Sequence, residues 1–110
     1  MRIERPKDGW RIEGITTHPG EILREDFLLP MGLTAHALAT RTMMPATRVG
    51  EILHSRRSIS PDTALRLARF FGTSAEFWIN LQAAHDLSKA RAELAHTLRE
   101  IEPIDLPVVA

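Results

Sequence analysis

The chain of 110 residues contains no cysteine, which excludes disulfide frameworks and thiolate metal sites and leaves nothing tying it to an oxidising compartment. It also lacks the run of about 18 apolar residues that a bilayer-spanning helix needs. The opening stretch, MRIERPKDGWRIEG, is charged and has no apolar centre of the kind a secretory signal carries. A soluble, cytoplasmic protein with no membrane partner is therefore expected. Excess charge is missing as well: 14 Lys and Arg balance 14 Asp and Glu, for a formal net charge of zero. That total gives no support to a nucleic-acid partner, whose phosphates demand cations. Strand-type alternation, internal repeats and low-complexity blocks are absent too.

What is present is 44% apolar and 25% charged residues in a length suited to one domain around one core. The charges are unevenly spread. Residues 41–69 carry six arginines (Arg41, Arg48, Arg56, Arg57, Arg66, Arg69) against Glu51 and Asp62, a local +4. Residues 70–110 carry three basic against six acidic side chains, a local −3. Such a dipolar chain can turn one basic face to an anionic partner while its other end stays acidic. Ordinary scatter of surface charge accounts for the same count equally well.

The apolar spacing is helical. Residues 1–17, with Pro6, Gly9 and Gly14, show no sustained period and read as an irregular N-terminal arm in which Trp10 packs on something. His18-Pro19-Gly20-Glu21 reads as a helix start, with a first-turn proline and a glutamate at the positive end of the dipole. Ile22, Leu23, Phe27 and Leu28 follow at helical spacing until Pro30 and Gly32 stop the segment. Thr34 caps a short second helix that turns Leu38 and Ala39 inward and ends near Thr42. A third helix starts at Pro45, places Val49, Ile52 and Leu53 on one side, and fades in the loop 54–58. Ser60-Pro61 opens a fourth, closed by Gly72. Thr73-Ser74-Ala75-Glu76 fits a capping box for a long fifth helix reaching about Arg99. Pro103 and Pro107 keep residues 100–110 as an extended tail. The expectation is an all-α fold of five helices, with the arm at 1–17 and a helical domain at 18–99.

Helices two and three have the form of a helix-turn-helix: Ala39 permits close approach, and Leu38, Val49 and Ile52 bury the joint. Opposite the buried side of the third helix lie Thr47, Gly50, Glu51 and His54, with Arg48 on the flank and Ala46 in the first turn. In a major groove, Arg48 can pair with guanine, Glu51 can accept from cytosine, and Thr47 can touch a thymine methyl or a phosphate. Arg41, Arg56 and Arg57 lie where phosphates would flank the helix. A solvated structural helix pair fits the same spacing, and Glu51 near phosphates is a cost. The turn is atypical, because Met43 stands where glycine usually supplies a positive φ, so a lengthened or reshaped turn is expected.

On the last helix Trp78, Leu81, Leu87, Leu94 and Leu98 form a stripe longer than the remaining helices can cover, so part of it should face a second subunit. Pairing two reading helices also multiplies affinity through effective concentration. Nothing points to catalysis. His85 and His96 are eleven residues apart on one helix, about 16 Å along its axis, so they cannot share a metal ion. No carboxylate or cysteine joins His36 and His54 at ligand spacing, and no glycine-rich phosphate loop or nucleophile triad occurs. No enzyme, metal or cofactor is expected.

The runs HPGEILREDFLLPMGLTAHALA, PATRVGEIL and ISPDTALRLARFFGTSAEFWINLQAAHDL resemble the HigA family of antitoxins, a branch of the lambda-repressor-like (XRE-type) helix-turn-helix proteins. The most specific signatures are His18-Pro19-Gly20-Glu21 and the block Glu76-Phe77-Trp78, Asn80-Leu81-Gln82, within a likeness spanning about residues 18–87. The resemblance implies a lambda-repressor-like domain and a homodimer on a palindromic operator in its own promoter. It also implies a complex with a small RelE-like (HigB-type) ribonuclease toxin, whose cleavage of messenger RNA it blocks. The arm and the acidic first helix (Glu21, Glu25, Asp26) are the favoured surface for a basic toxin. Two other readings share the fold: a stand-alone transcriptional regulator without a toxin, and an interaction adaptor whose degenerate motif is marked by Met43, Gly50 and Glu51.

Overall fold

The computed structural model describes residues 16–105, within which the chain forms five helices and no strand. The first, α1, is continuous over residues 19–31 and has three parts: an α-helical turn Pro19–Ile22, a π-helical stretch Leu23–Leu28 and a last α turn Leu29–Met31. The others are α2 (Ala35–Thr42), α3 (Ala46–Leu53), α4 (Pro61–Phe71) and α5 (Ala75–Glu100). Trp10 and most of the expected arm, together with residues 106–110 of the expected tail, lie outside the described residues.

Four of the five helices begin on a side chain that takes up a free amide. His18 Nδ1 accepts the Gly20 N–H at 2.8 Å, and Thr34 and Ser60 accept from Ala37 and Thr63. The capping box expected at Thr73 does not form, because the cap lies one residue further on and Phe77 stands where the box needs a glutamate. Ser74 is the cap, accepting the Phe77 N–H at 3.0 Å, while the Thr73 hydroxyl accepts the Trp78 indole N–H at 2.8 Å. Burying the Trp78 ring leaves its N–H in need of a partner, and the Thr73 hydroxyl supplies it.

Pro30 does not end α1. A proline has no N–H and crowds the carbonyl four residues back, and here the turn before it widens: the Leu29 N–H bonds the Arg24 carbonyl, five residues away. The helix stops instead at Gly32, in the left-handed region at φ 63°.

The core gathers one face of every helix: Leu23 and Leu28 from α1, Leu38 and Ala39 from α2, Val49, Ile52 and Leu53 from α3, Ala64 and Leu67 from α4, Trp78 from α5, plus Met44 and Ile59 from the connections. Trp78 is wholly enclosed, with its ring 5.0 Å from Phe27 and 4.9 Å from Phe77. The protein is elongated, 52 × 27 × 24 Å, because α5 runs on past this core and residues 91–100 are all exposed. No helix among the described residues is long and apolar enough to cross a membrane.

Candidate nucleic-acid interface

The connection between α2 and α3 is two residues, Met43 and Met44, before the cap Pro45. Met43 adopts φ 58°, ψ 42°. The expected reshaping of the turn is therefore not found: methionine takes the left-handed conformation itself. The strain of a side chain there, on the order of 1–2 kcal/mol, is offset by bonds that close the turn. The Met44 N–H bonds the Ala39 carbonyl at 2.9 Å, and the Arg66 guanidinium donates to the carbonyls of Thr42 and Met43 at 3.1 and 2.8 Å. The Met43 side chain itself points outward, 82% exposed.

The buried side of α3, Val49, Ile52 and Leu53, is opposed by an outer side on which Ala46, Thr47, Glu51 and His54 are exposed and Arg48 and Gly50 are half-buried. Three side chains of this surface are already engaged. The Arg48 guanidinium bonds Asp62 Oδ1 at 2.8 Å, the Glu51 carboxylate pairs with Arg57 at 3.0 Å, and His54 Nδ1 lies 2.8 Å from the Gly50 carbonyl. Asp62 also takes Arg66 Nε at 2.7 Å, and the hydrogen bonds from Arg66 and then Arg48 hold its carboxyl below the usual carboxylate range. Arg56 is exposed in the loop past α3. Arg41 lies over the Phe70 ring, 5.0 Å from its centre. Beside the turn, Arg41, Arg66 and Arg69 border a shallow groove of about 540 Å³, a basic surface suited to a phosphate backbone.

Four residues that hold this surface in place carry no local sign of the contacts they make. Gly20 lets α1 meet α3, since a Cβ there would sit 1.8 Å from the Ile52 carbonyl oxygen. Arg24 reaches across to donate to the Leu53 carbonyl at 2.6 Å, closing the C-terminal end of α3. Gln82 accepts the buried Ile59 N–H at 2.7 Å and donates to Asp86. Arg66 clasps the turn from α4. Asp62 and Arg66 counted in the sequence only as charges, and Gln82 only as part of a motif; their spacing says nothing about partners that lie far along the chain.

The stripe expected for a second subunit divides in two. Trp78 must be removed from it, because the ring is fully enclosed by its own chain, and Leu81 packs against the same core. Leu87, Leu94 and Leu98 are 52%, 46% and 48% exposed, and Ile101 extends the row. A separate groove of about 530 Å³ between α1 and α5 has Glu21, Glu25 and Asp26 at its edge and Ile22, Leu81 and Ala84 in its wall. Thr16 closes one end. Its N–H bonds Ser88, its hydroxyl bonds the Ala84 carbonyl, and its carbonyl lies 2.6 Å from His85 Nδ1. The His18 and His85 rings meet edge to face at 4.9 Å. Burial, and next the nearby His85 charge, push the His18 pKa down against the pull of Asp86. Among the described residues no group of three or more His, Asp or Glu is placed to hold a metal ion.

Residues 23–78 match the helix-turn-helix family model. A virulence-associated protein I of Dichelobacter nodosus is 53% identical over 76 residues, which is 69% of this chain and 70% of the relative. The antitoxin HigA-1 of Vibrio cholerae is 33% identical over 85 residues, covering 77% and 80%. Among solved structures, the Pseudomonas aeruginosa antitoxin HigA with higBA promoter superposes at TM-score 0.78, with 43% identity over 81% of this chain and 98% of that one. The family comprises DNA-binding antitoxins and regulators, a non-enzymatic kind of protein. The two-residue turn, the outward face of α3 and these likenesses agree: the chain belongs to the helix-turn-helix family and, within it, to the HigA-type antitoxins.

Proposed function

We propose that this protein is an autorepressing antitoxin: a homodimer that lays α3 of each subunit into successive major grooves of an operator in its own promoter, and that also sequesters a small, RelE-like ribonuclease toxin. The observation that carries the DNA half is the outer side of α3, polar and accessible on a helix whose other side is locked into the core. Thr47, Arg48, Glu51 and His54 form the base-reading set, Ala46 lies at the groove entrance, and Arg41, Arg56 and Arg57 hold phosphates. The promoter complex of the Pseudomonas aeruginosa HigA supports this reading. Titrating the protein onto its own promoter fragment and onto a scrambled duplex tests it. Arg48→Ala is expected to lose about 1–3 kcal/mol on the promoter and little on the scrambled sequence; equal losses on both would make Arg48 a phosphate contact.

For the toxin, the acidic edge of the α1–α5 groove is the favoured surface. Three carboxylates beside an apolar wall suit a basic protein, and this face is separate from α3. Co-purification with the product of the adjacent gene, followed by the charge reversal Glu21→Lys with Asp26→Lys, tests this half. Capture should fall at least tenfold while promoter binding persists. If capture is unaffected, the surface lies elsewhere.

A further inference from the structure

We propose that Asp62 is a specificity-determining residue for DNA: it holds Arg48 as a base reader and withholds it from phosphates of the wrong sequence. The proposal rests on the reading of α3 as the recognition helix. A single carboxylate oxygen of Asp62 takes both Arg48 Nη1 at 2.8 Å and Arg66 Nε at 2.7 Å. Arg66 in turn holds the carbonyls of Thr42 and Met43. The chain of contacts therefore runs from the turn of the helix-turn-helix, through α4, to the reading side chain on α3. Arg48 is also the more buried of the two arginines paired on this surface: its side chain is 23% exposed, against 49% for Arg57.

The geometry has two effects. Arg48 stands in the first turn of α3, where the positive end of the helix dipole disfavours a cation, and Asp62 neutralises it there. It also occupies one guanidinium nitrogen and leaves the others to approach a base edge, so the arginine is oriented before DNA arrives. Magnitudes decide the outcome. An exposed ion pair is worth at most a factor of about five, whereas a bidentate arginine contact to guanine discriminates by roughly five- to over a hundredfold. A correct base is read alongside the Asp62 contact by the nitrogens left free, whereas a phosphate of any sequence has to compete with Asp62 for the same positive charge. A carboxylate close to the backbone repels every sequence alike, but only Asp62 acting through Arg48 changes the ratio between sequences.

The test is a double-mutant cycle of Asp62→Asn and Arg48→Ala in the full chain, read as the ratio of operator to scrambled-duplex affinity over a salt series. Asp62→Asn is expected to lower that ratio by about two- to twenty-fivefold for a dimer. It should also steepen the salt dependence on scrambled DNA by about one counterion per subunit. In the Arg48→Ala background the same change should leave the ratio where Arg48→Ala alone put it. If Asp62→Asn moves both duplexes by one factor, or moves the ratio equally in both backgrounds, Asp62 is only bulk charge and the proposal falls. If both affinities drop together with the unfolding midpoint, its role is structural and the proposal also falls. Asp62→Glu, which keeps the charge, should restore most of the ratio. Failure of the unmodified protein to prefer its operator would instead sink the reading of α3 itself.

Discussion

Two glycines show how a missing side chain serves opposite ends. At Gly20 the absent Cβ is a packing requirement, because the atom in the way is the Ile52 carbonyl, part of the backbone of α3. Gly20→Ala must force α1 and α3 apart, at a cost of about 1–3 kcal/mol or more, and urea unfolding should register it as a lower midpoint. An unchanged midpoint would contradict the close approach. Gly50 is the reverse case: a Cβ there meets nothing within 4 Å. Gly50→Ala should stabilise the free protein by about 0.5–1 kcal/mol, since alanine loses less backbone freedom in a helix. The same methyl adds bulk to the side of α3 that would enter the groove, so operator affinity should fall while the unfolding midpoint rises. A midpoint and an affinity that rise together would move Gly50 off the DNA-facing side.

At the scale of elements, α1 carries a pH dependence in its cap. The His18 ring must be neutral at Nδ1 to accept the Gly20 N–H, and burial together with His85 lowers its pKa, Asp86 opposing. Because the unfolded chain binds that proton more readily, stability is complete above the ordinary histidine value of about 6.5 and is lost as pH falls below it. Denaturation midpoints between about pH 7.5 and 5 should decline accordingly. His18→Asn, which keeps a capping oxygen, should flatten the decline; an equal slope in that variant would mean that His18 is not the group responsible. How legible each element is in the sequence follows from the range of its causes. Caps act within three residues, so Thr34 and Ser60 could be read directly, as could the five helices. What closes the turn and sets α3 could not. Arg66 bonds carbonyls 23 and 24 residues away, Arg24 one 29 away, and Gln82 an amide 23 away. Met43 misled because residue type gives only a preference for positive φ, and those distant bonds outweigh it.

For the whole molecule, the exposed row runs from Leu87 along α5 to Ile101 just past its end, with Leu94 and Leu98 on the part of the helix that leaves the body. If the proposed homodimer pairs through this row, Leu94→Glu with Leu98→Glu should yield a monomer by sedimentation, with helical content close to the parent. Each leucine is already about half covered by its own chain, so each lost contact removes about 1 kcal/mol of burial from the pair. Promoter binding should weaken by two orders of magnitude or more, since one subunit forfeits the effective concentration of the other. A dimer that survives the double change would assign pairing to another face.

The enclosure of Trp78 by its own chain has a further meaning for such a protein. With Trp78, Leu38 and Leu67 all sealed from solvent within one protomer, the core closes without any contribution from Leu94 or Leu98. For the proposed homodimer, folding and pairing would then be separate equilibria, and a subunit would survive dissociation intact. For a promoter that accepts only pairs, occupancy in dilute solution scales with the square of the protein concentration. Halving the amount of protein, as one cell division without new synthesis does, would cut occupancy about fourfold by mass action. A slope of two in a logarithmic plot of weak promoter occupancy against total protein is the signature to measure, and a slope of one would mean that the pair never comes apart.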